Sequence, residues 1–184
     1  MPSINIRFVQ PSDAPDLLKI YAPIVLETAT SFETEVPTVS NFSDRIKAYS
    51  SKSPWLVAEV NGQIAGYAYG TAHRSRQAYQ WNQEVTVYVH PNFQRQGIAR
   101  KLYTKLLELL KFMGFRKAIA VITIPNDASI KFHTSMGFKH IGEMQNVGFK
   151  LGQWHSTSWW DLELNAASNE PEEIKVMSSI NHLL

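Results

Sequence analysis

The run Gln94-Arg95-Gln96-Gly97-Ile98-Ala99 is the first place where this chain carries chemistry: it follows a strand-like Val85-Thr86-Val87-Tyr88-Val89 and leads into a helix-like repeat. A chain that turns through glycine into a helix aims several backbone N–H groups at one point. With Arg95 and Arg100 beside them, such a turn is a pyrophosphate cradle. A plain glycine turn before a helix reads the same way, so the rest of the chain has to decide. Other groups are excluded at once. Cysteine is absent, which removes thiolate catalysis, disulfides and cysteine-ligated metal. The turn is neither a Gly-x-Gly-x-x-Gly nor a Gly-Lys-Ser/Thr loop, and it sits near mid-chain after three strands and two helices, which argues against a dinucleotide or Walker fold.

The elements that must position this turn can be read from periodicity. Ile4 to Val9 alternates as a strand; Asp13 then caps a helix carrying Leu17, Leu18, Tyr21 and Ile24, bent by Pro23. Thr28 to Glu35 reads as a polar loop around Phe32, and a second helix is predicted from about Val39 to Tyr49 behind Thr38. Asn61-Gly62 between Trp55–Val60 and Ile64–Tyr69 signals a tight hairpin. A polar link, His73-Arg74-Ser75-Arg76-Gln77, precedes the strand from about Gln83 to Val89.

After Gly97, the residues Ile98, Leu102, Leu106, Leu109 and Met113 form an apolar stripe that Gly114 closes. Ala118 to Ile124 is nearly all apolar, as a strand buried on both faces would be. A short helix over about Ala128 to Met136 and two strands near His140–Val147 and Ser158–Leu164 follow, joined by a Gly148–Gly152 loop. The pattern divides into one domain over 1–165 and a tail over 166–184, in which Ile174 to Leu184 reads weakly as a docked helix.

Composition sets bounds on function. With 184 residues, 44% hydrophobic and 18% charged, the chain suits one globular domain, and a net charge of +2 is too mild to imply a nucleic-acid surface. Neither a signal segment nor an apolar run of membrane-spanning length is present, so the expected compartment is the cytoplasm.

Several separated pieces now agree in order: Ser31-Phe32-Glu33, Gly66-Tyr67-Ala68-Tyr69, Glu84-Val85-Thr86-Val87-Tyr88-Val89, Gln94 to Ala99, Ile124-Pro125-Asn126-Asp127-Ala128-Ser129, His133, Gly137-Phe138, and Gly148 to His155. Over about residues 4–164 the chain resembles the GNAT superfamily of N-acetyltransferases. Within it, the phosphinothricin and methionine sulfoximine/methionine sulfone acetyltransferase branch is the most similar. The resemblance implies an α/β fold with a mixed, mostly antiparallel sheet splayed between its fourth and fifth strands, flanking helices, acetyl-CoA as cosubstrate, a small-molecule amine acceptor and a homodimer. The Trp159-Trp160 strand and aromatic loops are candidate contact surfaces for that dimer.

Carried over, the backbone of Val87, Tyr88 and Val89 pairs with the pantetheine arm, and the amides of Arg95, Gln96, Gly97, Ile98, Ala99 and Arg100 take the pyrophosphate. The Arg95 and Arg100 side chains bind phosphate or face solvent. Glu84 is the candidate general base, because an ammonium has no lone pair and its proton needs an acceptor; read alone, it is a solvated strand end, and it is the resemblance that favours the catalytic reading. Thr86 and Tyr88 share its side of an ideal strand.

Asn126 and Ser129 support the cofactor or cap a helix. His133 donates a proton near the departing thiolate, orients the acceptor, or is a satisfied core histidine. Attack on the thioester would be direct, with a strand N–H steadying the tetrahedral intermediate.

Phe32, Arg74, Arg76, Glu84 and Thr86 are the candidate acceptor contacts, with the arginines suited to a carboxylate or phosphinate. The acceptor expected is an L-amino acid or an analogue such as phosphinothricin, methionine sulfoximine or methionine sulfone. A polyamine or protein amine, or a noncatalytic acetyl-CoA-binding protein, is the alternative. Ser156 departs from a Trp-His-Asp pattern frequent in the branch.

Overall fold

The computed structural model describes residues 3–184; Met1 and Pro2 lie outside the described residues. Seven strands form one sheet in the order β1-β2-β3-β4-β5-β7-β6, with β1 Ile4–Phe8, β2 Trp55–Val60, β3 Gln63–Ala72, β4 Asn82–Val89, β5 Lys117–Ile124, β6 Lys139–Lys150 and β7 Gln153–Glu163. Among the described residues, four α-helices flank it: α1 Ala14–Glu27, α2 Val39–Ser50, α3 Ile98–Met113 and α4 Asp127–Ser135. The sheet is the mixed, mostly antiparallel α/β arrangement that the resemblance implied, with a single parallel pair, β4 and β5.

That pair is the feature on which the site depends. It is joined at Asn82↔Lys117, Gln83↔Ala118 and Glu84↔Ile119 only. Beyond Glu84, β4 stays paired with β3 as far as Val89, and β5 with β7 as far as Ile124. Each strand is therefore held by its outer neighbour while the inner edges part. Backbone N–H and C=O groups along those inner edges lack ladder partners and need others.

The β3–β4 register runs without a shift from Gly66↔Val89 to Ala72↔Gln83, so strict alternation holds along β4. Val85 is buried, and Val87 and Val89 pack into the core that α3 shares, with Leu102, Leu106 and Leu110. Tyr88 faces the opposite core, formed by α1 and α2 around Leu17, Phe42, Ile46 and Trp55. Glu84, Thr86 and Tyr88 thus share one side, as an unbulged strand requires.

Several element ends differ from expectation for identifiable reasons. Asp13 stands at the α1 N-cap without bonding a helix amide. Its carboxylate instead accepts two N–H groups of Arg7, at 2.8 and 2.9 Å, and the Gln10 N–H at 2.7 Å; a bidentate guanidinium holds it better than one amide would. Thr38 does cap α2, accepting the Asn41 N–H at 3.2 Å. The Gly148–Gly152 stretch is mostly strand, since Gly148, Phe149 and Lys150 pair with His155, Trp154 and Gln153. Only Leu151 and Gly152, with φ of 51° and 78°, make the turn, and a leucine there is not a turn signal.

The tail is tied back to the domain. Lys175 N–H bonds Met113 O at 2.9 Å, and Trp81 Nε1–H bonds Glu172 O at 2.9 Å. A 3-10 run, Met177–Leu183, replaces the expected helix and buries Ile180 completely in the α3 core. Ile180→Ala should therefore cost about 2–4 kcal/mol by loss of buried methyl groups and the cavity left behind, read as a lower midpoint in urea unfolding. An unchanged midpoint would mean that the tail adds nothing to the fold.

Candidate functional site

The turn after β4 is built as the sequence suggested. Arg95 and Gly97 both take left-handed backbone conformations, with φ of 61° and 80°, and Gly97 is the N-cap of α3. The helix ladder begins with Lys101 N–H on Gly97 O at 3.0 Å. Among the described residues, no protein acceptor meets the backbone N–H of Arg95, Gln96, Gly97, Ile98, Ala99 or Arg100. Six successive free amides at the positive end of a sixteen-residue helix are an arrangement that suits an anion.

Among the described residues, its chain neighbours aside, no atom lies within 4 Å of a Cβ built on Gly97, so the space above it is open. The arginine side chains are placed differently from the amides. Arg100 reaches away to α4, donating to Ser135 Oγ at 2.7 Å and approaching Met136 Sδ at 3.4 Å. Arg95 is exposed.

On the other face of the sheet lies a cavity of about 260 Å³, lined by Tyr21, Thr30, Ser31, Phe32, Tyr69, Glu84, Val85, Thr86, Tyr88, Val121, Thr123 and Thr157. It holds Glu84, Thr86 and Phe32 of the expected acceptor contacts, and its far wall is β5 and β7. Glu84 is the only charged residue in this lining. Burial pushes the Tyr69 and Tyr88 hydroxyls above the ordinary tyrosine range, so they stay neutral donors at working pH. Arg74 and Arg76 are not in this wall; they sit exposed on the segment between β3 and β4. A larger groove of about 740 Å³ beneath the tail holds none of the expected site residues.

The loop carrying Phe32 is fastened from three elements. Tyr21 of α1 and Ser31 share a hydroxyl hydrogen bond at 2.7 Å; Arg45 of α2 pairs with Glu33 at 2.7 Å; Lys150 of β6 donates from Nζ to Ser31 O at 2.5 Å. Burial lowers the Lys150 pKa, with Glu33 opposing that shift. The Phe32 ring lies over Gly148, where any Cβ would overlap it.

His133 is buried among Tyr103, Phe132 and Phe138, 5% exposed and outside the cavity wall. Its Nδ1 lies 2.8 Å from Ser129 O, and a carbonyl can only accept, so Nδ1 carries the hydrogen. Burial lowers its pKa against that bond, which leaves Nε2 bare to accept from Tyr103 OH at 3.0 Å. The same hydroxyl stands 3.1 Å from Val85 O in β4, and its single proton serves one acceptor at a time. Asn126 caps α4, its Oδ1 accepting the Ser129 N–H at 3.1 Å.

Tyr103 was missed in the sequence because it falls on the buried stripe of α3, where an aromatic reads as core. Ser156 lies away from the cavity, holding the irregular part of β6 through Gln145 Oε1 at 2.9 Å and the Asn146 N–H at 3.0 Å. Trp159 and Trp160 are half-buried on the interior strand β7, whereas Trp154 is exposed.

Comparison with known proteins agrees with this geometry. The family model for the acetyltransferase (GNAT) domain matches residues 6–159. A phosphinothricin N-acetyltransferase of Streptomyces viridochromogenes is 38% identical over 163 residues, covering 86% of this chain and 89% of the relative. An L-methionine sulfoximine/L-methionine sulfone acetyltransferase of Salmonella typhimurium is 33% identical, covering 88% and 95%. A crystal structure of a GNAT superfamily phosphinothricin acetyltransferase from Sinorhizobium meliloti, in complex with AcCoA, superposes with a TM-score of 0.88 at 30% identity, covering 92% and 94%. With the opened β4–β5 pair, the free amides at α3 and a family model spanning most of the chain, this protein belongs to the acetyltransferase (GNAT) domain family.

Proposed function

We propose that this chain is an acetyl-CoA-dependent N-acetyltransferase that acts on the α-amine of a small L-amino acid or analogue, in the class of phosphinothricin, methionine sulfoximine and methionine sulfone. The observation that carries this reading is a lone carboxylate, Glu84, set in the wall of a small hydroxyl-lined cavity beside the opening between β4 and β5. The chain's own features suit the cosubstrate: six free amides fit a pyrophosphate, and the unpaired inner edge of β4 over Val87–Val89 fits an extended arm with amide groups.

Acetyl-CoA supplies an activated acyl group. Glu84 takes one proton from the acceptor's ammonium; the freed amine forms the new C–N bond, the C–S bond of the thioester breaks, and the second proton shed as the amide forms leaves with the sulfur as free CoA thiol. Tyr69, Tyr88, Thr86 and Thr157 offer hydroxyl donors to a sulfone, sulfoximine or phosphinate oxygen. For the acceptor's carboxylate we propose Arg74 and Arg76, which lie outside the cavity wall on the exposed segment that follows His73.

A cavity of about 260 Å³ favours a small acceptor over a protein lysine. We further infer a homodimer that covers the edge strand β6, whose hairpin exposes Ile141, Met144, Phe149, Leu151 and Trp154. Light scattering at the monomer mass would reject it.

The deciding assay follows free thiol release from acetyl-CoA against amino acids, the three analogues, polyamines and peptides, with product mass separating N-acetylation from thioester hydrolysis. Turnover confined to polyamines or peptides would overturn the acceptor class. Because Gly148 leaves room for the Phe32 ring, Gly148→Ala should push that ring into the cavity. At a cost of about 1–3 kcal/mol for such overpacking, the KM for the acceptor rises roughly 10-fold while acetyl-CoA affinity holds. An unchanged acceptor KM would show that Phe32 does not shape the cavity.

A further inference from the structure

Glu84 has a partner that the reaction as described does not use. His73 Nδ1 lies 2.8 Å from Glu84 Oε1, with the His73 side chain 13% exposed and that of Glu84 37%. The β3–β4 register explains the meeting: Thr71 stands opposite Glu84 and Ala72 opposite Gln83, so His73 returns to the face of Thr71, diagonal to Glu84. The His73 N–H bonds Asn82 O at 3.3 Å and carries the ladder one step past its last strand pair. Tyr79 and Trp159 then hold the imidazole edge-on, with ring centroids at 5.9 and 6.1 Å.

A carboxylate has no hydrogen to give, so His73 Nδ1 is the donor whatever the charge on the ring. Oε1 is thereby occupied. Oε2 has no partner among the described residues and is the oxygen left to meet an acceptor.

Resting on the reading that Glu84 is the base, we propose that His73 is its positioning residue: its Nδ1–H holds Oε1 so that Oε2 faces the acceptor nitrogen in one fixed rotamer. A free glutamate side chain gives up about 1–2 kcal/mol of rotamer entropy to hold one geometry, and a displacement of about 1 Å at a reacting group costs on the order of 100-fold in rate. The Tyr79–Trp159 clamp meets the entropic cost during folding, before the acceptor arrives. His73 makes and breaks no covalent bond; the proton leaves the acceptor for Oε2.

Two variants of the full chain separate this role from packing. His73→Phe keeps a ring between Tyr79 and Trp159 but removes the donor, whereas His73→Asn loses the ring and keeps an N–H near the place of Nδ1. We expect His73→Phe to lower kcat about 10- to 100-fold with the KM for acetyl-CoA within about twofold, and His73→Asn to recover most of that loss. In a Glu84→Gln background His73→Phe should cost less than about twofold, because its effect runs through the carboxylate.

Wild-type kcat in His73→Phe, a His73→Asn variant as impaired as His73→Phe, or the same loss in the Glu84→Gln background would each overturn the proposal. A measurement that needs no acceptor stands beside these: ¹⁵N NMR of the six histidines should show a protonated His73 Nδ1 that responds to Glu84→Gln. A bare Nδ1 would overturn the contact itself. Silence with every acceptor beside an intact Nδ1–H signal would instead overturn the reading of Glu84 as a base.

Discussion

Replacing Glu84 by glutamine should lower kcat about 10²- to 10³-fold, the range of a lost general base, while acetyl-CoA affinity measured by calorimetry stays within about twofold of wild type. Glutamine is nearly isosteric and its carbonyl still accepts from His73 Nδ1, so the cavity wall and the His73 clamp survive. What is lost is an oxygen able to take a proton. The deficit should widen as pH falls, because more of the acceptor is then ammonium and the proton to be removed is present more of the time. It should narrow at high pH, where free amine reaches the site unaided. Turnover equal to wild type across the pH range would remove Glu84 as principal base. A large fall in acetyl-CoA affinity would mean that the substitution disturbs the β4–β5 opening, whose last pair is Glu84↔Ile119.

Glu84 also marks where the sequence ceases to be informative. Strand parity is local, and alternation alone puts Glu84, Thr86 and Tyr88 on one face. The turn before α3 is legible for a similar reason, since a glycine between a strand and an amphipathic helix marks it; what separates a cradle from a plain turn is the other motifs that follow in order. Arg95 is not: its φ of 61° gives a non-glycine residue the same left-handed backbone as Gly97, with no change of residue type to signal it.

The contacts that complete the site depend on register across long separations. His73 meets Glu84 only because β3 and β4 are in phase on either side of a nine-residue connection, 73–81, and neither a two-residue turn nor a repeat fixes that phase. Lys150 meets Ser31 across 119 positions, and Tyr103 meets His133 across 30; each reads locally as a hairpin or core residue. For His133 the sequence left a chemical and a core reading side by side. A histidine near a proposed leaving group invites an acid role, but burial among three aromatic rings lowers its pKa against the opposing pull of the Ser129 carbonyl, and Ser129 O and Tyr103 take up both ring nitrogens. Its observable contacts support α4 against α3 and, through Tyr103, the base of the opened strand.

Gly97→Asp should weaken acetyl-CoA binding about 100-fold or more, equivalent to about 2.7 kcal/mol or more, with little effect on folding. The asymmetry follows from the surroundings. Among the described residues, nothing beyond the chain neighbours stands within 4 Å of a Cβ at this position, and aspartate tolerates a left-handed φ better than most residues, so the fold has room for the substitution. The pyrophosphate does not: it would meet a side chain over the amides of Arg95 to Arg100 and a like charge at the end of a helix dipole that otherwise favours anions.

Gly97→Ala separates the two causes. It adds the Cβ and a left-handed strain of about 1 kcal/mol without charge, so its affinity should fall between wild type and the aspartate variant. Because both changes act on binding, saturating acetyl-CoA should restore kcat, where Glu84→Gln leaves it low. Unchanged acetyl-CoA affinity in the aspartate variant, with a thermal midpoint near wild type, would sink the assignment of the cradle and require the anion to bind elsewhere on α3.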